Sequence, residues 1–201
     1  MCAERLCACG ALVRPRAARS TRTLGMTTRA PITGLHLTLA IINSTPAMTA
    51  DAPAEIYLDL RSQALAQTPH SLVAEADVVG VLMETRYPEA VATLVAFIDG
   101  SASMYFSNGG GIIGAGQHEG PAAAARALVQ VASEYLRDFV PTKEFPLPEV
   151  AHTRFYVVTR SGVLTAEAAE QDLGEGRLPL SPVFHAAHEL IFQIRQAEEH
   201  K

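Results

Sequence analysis

Between residues 78 and 114 the apolar positions come in short runs broken by turn-forming pairs, the pattern of an antiparallel meander. Residues 78–84 read VVGVLME and residues 91–98 read VATLVAFI, each strand-sized and apolar on both faces. Asp99-Gly100 and Asn108-Gly109 follow as punctuation. Such pairs favour type I′ turns, in which both central residues take φ > 0. Two-residue turns at these places set Val95 opposite Met104, Met104 opposite Ile113 and Phe106 opposite Gly111. They also align Ala96, Ser103 and Gly114 in a row of small residues, open to close approach by a helix, a ligand or a second subunit. A strand apolar on both sides is covered on both sides. Helices can supply both covers, or a partner chain can supply one.

Elsewhere the period is helical. After Pro53, AEIYLDLRSQALAQ puts Ile56, Leu60 and Ala64 on one face, and Thr68-Pro69 stops the helix. Pro121 opens a second helix in which Leu128, Val131, Ala132, Tyr135, Leu136 and Phe139 recur, ended by Pro141. The prolines at 141, 146 and 148 mark an extended linker. RFYVVT at 154–159 reads as a strand, Ser161-Gly162 as a turn, 163–166 as its partner and 168–173 as a short helix. Ser181-Pro182 starts the last helix, with Val183, Ala187, Leu190, Ile191 and Ile194 as its buried stripe. The order predicts one α+β domain over 48–201. Its antiparallel sheet has five to six strands (a four-strand meander, a helix, then a hairpin) packed with three main helices.

Charge separates the first 47 residues from the rest. They carry six arginines and one glutamate, a net of +5, whereas the remainder carries ten basic and twenty acidic groups, a net of −10. An acidic body argues against nucleic acid as a partner, since a phosphate-tracking surface needs a basic stripe. No apolar run reaches the ~20 residues of a membrane span. The three cysteines fall at positions 2, 7 and 9, which excludes disulfides and a cysteine nucleophile from the body. The arginine-rich start is compatible with a transit peptide, a secretory signal ending near residues 44–47, or a disordered extension or translated sequence upstream of a true start at Met26 or Met48. The last reading is preferred and implies a cytoplasmic protein; the others imply export or organelle targeting.

Gly109 to Gly114 spell G-x-G-x-x-G. A dinucleotide loop needs a helix opening directly after the glycines to meet the pyrophosphate. Here a hairpin pair stands at 108–109 and the helix waits for Pro121, so the run reads as a glycine-rich strand. No P-loop and no G-x-S-x-G occur. His185 and His188 lie three apart on the last helix, but zinc needs further ligands, and no metal or other cofactor is expected. The best small-molecule candidates are Ser107, Gly110 and Gly111 on the glycine-rich hairpin, with His118 and Glu119 at the start of the long helix. Backbone N–H groups there can hold an anion. His188 on the last helix completes the set.

Tyr87-Pro88, VATLV, DGSASMYFSNGGGIIG and His118 together resemble a group of bacterial proteins over roughly residues 53–196. That group has no assigned activity, so the resemblance implies no catalytic residues. In element order alone the chain looks like roadblock/longin or profilin-type modules. Two functions follow from the residues: a self-associating interaction or regulatory module, or a small-molecule-binding protein or enzyme with a pocket near His118 and the last helix.

Overall fold

The computed structural model describes residues 52–66 and 77–199. The basic first 47 residues and the Thr68-Pro69 stop lie outside that range. The described residues form an α+β fold on one antiparallel sheet of seven strands. The strands are β1 (Val78–Arg86), β2 (Val91–Phe97), β3 (Ala102–Phe106), β4 (Gly111–Ile112), β5 (Val140–Thr142), β6 (His152–Thr159) and β7 (Gly162–Ala169). Across the sheet they run β4-β3-β2-β1-β6-β7-β5. The helices are α1 (Glu55–Leu65), α2 (Glu119–Glu134), α3 (Glu170–Gly174) and α4 (Ser181–Glu199). The strand beyond the expected count is β5, three residues around Pro141 at the outer edge of β7. An edge is where a strand proline is tolerated, because its missing N–H breaks no ladder.

Both glycine turns fall where the sequence puts them, but each loop is one residue longer than expected. At the first, Gly100 N–H donates to Phe97 O at 2.9 Å and Phe97 N–H to Ser101 O at 2.9 Å, with Gly100 at φ +93°. The second repeats this with Gly109 N–H to Phe106 O, Phe106 N–H to Gly110 O, and Gly109 at φ +94°. Each is a three-residue loop closed by a left-handed glycine rather than a type I′ turn. One extra residue slips the register by one. Val95 therefore pairs with Ser103, Leu94 with Met104, Met104 with Ile112 and Tyr105 with Gly111. It is Tyr105, not Phe106, that lies across from Gly111. The expected small row of Ala96, Ser103 and Gly114 dissolves: Ala96 faces Ala102, and Ser103 Oγ instead accepts the Gly114 N–H at 3.2 Å.

The chain supplies both covers of its sheet. On one face Val81, Met83, Leu94, Ala96, Met104, Phe155 and Val157 pack with Leu128 and Ala132 of α2 and Leu190 and Ile194 of α4. On the other, Leu82, Val95, Tyr105, Tyr156 and Val158 pack with Tyr57, Ala64 and Leu65 of α1. The α2 helix ends at Glu134, earlier than its apolar period implies, and Leu136–Asp138 makes a 3-10 turn before Phe139 enters the core. Ahead of α2, a 3-10 turn at Ala115–Gln117 presses on the β2–β3 hairpin. A Cβ on Gly116 would meet the Gly100 carbonyl oxygen at 2.2 Å, so only glycine fits there.

The docked face of α1 keeps Leu60 and Ala64 of the face read from its period but not Ile56. Ile56 is 56% exposed, while Tyr57, Arg61, Ala64 and Leu65 are buried. Arg61 grips Glu84 of β1 with both ends, Nε to Oε1 at 2.6 Å and Nη2 to Oε2 at 2.8 Å. Tyr57 donates to Thr93 (O···O 3.0 Å), and Thr93 donates on to Glu84 Oε1 at 3.4 Å. The Arg61 guanidinium also lies 5.4 Å from the centre of the Tyr156 ring. A fully enclosed carboxylate thus dictates which stripe of α1 faces inward. Removing one partner of such a pair leaves a buried charge alone.

Candidate functional site

The sheet face under α4 is not filled along its whole length. Beyond Leu190 and Ile194, where α4 seals the core, a cleft of about 360 Å³ remains between helix and sheet. Its floor is the alternating inward set of three strands: Met83 and Thr85 from β1, Ala92 and Leu94 from β2, Met104 and Phe106 from β3. Its roof is His188, Ile191, Phe192 and Arg195. These four recur at i, i+3, i+4 and i+7, one side of a helix, next to the stripe that α4 buries. Tyr87, just past the end of β1, closes the rim.

Polar groups in this cleft are few and placed. The Thr85 hydroxyl is 2.9 Å from that of Thr153, its partner on β6. Tyr87 Oη donates to Glu170 Oε1 at 3.0 Å. Burial, then the Glu170 charge, pushes the Tyr87 hydroxyl up to about 12, so it remains a donor at neutral pH. His188 packs on Phe184 at a tilt of 43°, with ring centres 4.2 Å apart. Its Nε2 is buried and has no hydrogen-bond partner among the described residues. Burial lowers the His188 imidazole below its ordinary 6.5; His185 and Arg195 push the same way and the Glu170 carboxylate opposes them. An apolar pocket of this size with a few convergent polar atoms is what small-molecule sites have in common.

Of the six sequence candidates, His188 alone lines the cleft. Ser107 sits in the β3–β4 loop, where its Oγ accepts the Val91 N–H at 2.9 Å and its carbonyl takes the Ala54 N–H at 2.7 Å. It ties α1 to the sheet. Gly110 and Gly111 form the end of that loop and the edge strand, with the glycine run lying flat rather than opening a helix. His118 occupies the N-cap position of α2 but makes no side-chain cap, and Glu119 is exposed in the first turn. The α2 start packs instead on α4, where a Cβ on Gly120 would lie 2.7 Å from Gln193 Oε1. The hairpin, the α2 start and His188 therefore do not converge on one pocket. Among the described residues no group of three metal-ligating side chains gathers either.

Sequence reasoning passed over Thr85, Tyr87, Ile191, Phe192 and Arg195 as site residues. The signal was available in α4 as a second stripe, His188-x-x-Ile191-Phe192-x-x-Arg195. Two other features are less suited to a ligand. The Arg61–Glu84 cluster is closed, with Glu84 at 0% exposure. A groove of about 520 Å³ bounded by Asp77, Ile98, Arg126 and Ser133 is more open and has no orphaned polar atom among its lining residues. Among the described residues no helix is long and apolar enough to cross a membrane. Comparison with protein-family models, curated proteins and solved structures finds no match to this chain.

Proposed function

We propose that this domain binds a small, mostly apolar molecule in the cleft between β1–β3 and α4. The observation that carries the reading is the cleft itself, about 360 Å³ over an apolar floor of Met83, Leu94, Met104 and Phe106 that α4 roofs but does not fill. Among the described residues no hydroxyl is hydrogen-bonded to His188 Nε2, and the reading is binding rather than catalysis. Self-association, expected from strands apolar on both faces, has less to rest on, because α1 on one side and α2 with α4 on the other cover those strands. Light scattering at micromolar concentration distinguishes monomer from dimer. With the reading goes the expected cytoplasmic location, which fractionation of the native cell checks.

The chain has no tryptophan, so Phe192→Trp places a single reporter on the roof of the cleft. Titration with 1-octanol is expected to shift its emission saturably. An unchanged spectrum up to the solubility limit of the alcohol counts against the cleft as a binding site.

A further inference from the structure

We infer that the molecule taken by the cleft ends in a carboxylate, with Arg195 as its polar contact; this rests on the binding reading above. Three observations lead there. Arg195 stands seven residues after His188, two turns along the same side of α4, and both line the cleft. Arg61, Arg154 and Arg177 each hold a carboxylate of this chain, whereas Arg195 makes no ion pair among the described residues. Glu170, whose charge acts on Tyr87 and His188, does not itself line the cleft, and its Oε1 accepts the Tyr87 hydroxyl hydrogen bond.

The floor defines the rest of the molecule. Met83, Leu94, Met104 and Phe106 give it hydrocarbon and thioether contacts and no charge. Methionine adapts to unbranched chains, because its own three rotatable bonds let it follow the occupant. At about 30 Å³ per non-hydrogen atom, the share a water takes in the liquid, 360 Å³ holds roughly a dozen atoms. A short fatty acid has that size and polarity. Its tail would lie on the sheet and its carboxylate would sit at the Arg195 guanidinium, where charge-assisted hydrogen bonds add to the attraction of the two charges.

Titration calorimetry of the full chain with three probes of equal length tests this: octanoate, 1-octanol and octylamine. Octanoate is expected to bind about tenfold tighter than octanol, the factor of one charge-assisted contact, and octylamine weaker than octanol. In Arg195→Gln the octanoate affinity is expected to fall to that of octanol, while octanol binding stays as it was. Because Arg195 is exposed, this variant keeps the fold, which its thermal unfolding checks. Octanol binding as tightly as octanoate, or a preference for octanoate that survives Arg195→Gln, overturns the carboxylate while leaving the binding reading in place. No heat from any of the three at either of two temperatures about 20 degrees apart, where the heat-capacity change of apolar burial must show, overturns both.

Discussion

Arg61 of α1 holds Glu84 of β1 through two parallel hydrogen bonds, 2.6 and 2.8 Å, in a site where the carboxylate has no exposure at all. Burial pushes the Glu84 carboxyl up from its ordinary value, against the hydrogen bonds and charge of Arg61 and the hydroxyl of Thr93. The pair orients α1 more than it stabilises the fold, since desolvating two charges offsets most of their attraction. Arg61→Met alone is expected to cost about 3–5 kcal/mol in urea unfolding, the cost of stranding one buried charge. Adding Glu84→Leu should recover much of that loss. If the double variant is as unstable as the single one, the packing of α1 does not depend on this pair as described.

That pair also marks where sequence reasoning stopped. The α+β class, the meander, the two glycine turns and the buried stripe of α4 all follow from local pattern, because turn glycines and repeating apolar spacing are encoded within a few residues. The orientation of α1 is not encoded that way. Its apolar period selects Ile56, but a carboxylate twenty-three residues away on β1 selects Arg61. Likewise Asp99-Gly100 locates a turn, yet a two-residue and a three-residue loop share the dipeptide and differ in which face every later side chain takes. The candidate site was half visible for the same reason. His188 stood out by its chemistry, while the floor of Met83, Ala92, Leu94 and Met104 exists only once the register is known.

The glycines separate backbone need from ligand contact. Gly116→Ala forces a Cβ against the Gly100 carbonyl, and the expected loss is about 1–3 kcal/mol, as for other overpacked sites. Gly110, which the sequence singled out for a ligand, has nothing nearer than 3.8 Å to an added Cβ. Gly110→Ala should stay within about 0.5 kcal/mol of the parent, as at unconstrained surface positions. Thermal denaturation of both variants measures the contrast, and equal losses would contradict the packing of the 3-10 turn on the hairpin.

His188 gives the protein an acid-sensitive element. Its imidazole is depressed in the folded state, so below the unfolded value near 6.5 the unfolded chain binds the proton more readily. The stability it contributes is whole above pH 6.5 and is lost as pH falls through the lower, folded value. The groups acting on it are Glu170, which favours the proton, and His185 and Arg195, which oppose it. Unfolding free energies of the parent should therefore fall faster between pH 6.5 and 5 than those of His188→Leu. Parallel profiles would show that the imidazole is not held neutral by its surroundings.

Filling the cleft should abolish binding and spare the fold. Ala92 stands on the floor with its side chain toward α4, so Ala92→Phe grows into open space. Its stability is expected to stay within about 1 kcal/mol of the parent, with octanol no longer bound in calorimetry. Unchanged octanol affinity in this variant would place the alcohol elsewhere.

The account centres on a ligand lying between the sheet and α4, and nuclear Overhauser contacts locate a ligand directly. With the methyl groups of methionine labelled and octanoate added, the account predicts contacts from the ligand chain to the Met83 and Met104 methyls. Octanoate bound with no contact to the labelled Met83 and Met104 methyls would contradict it.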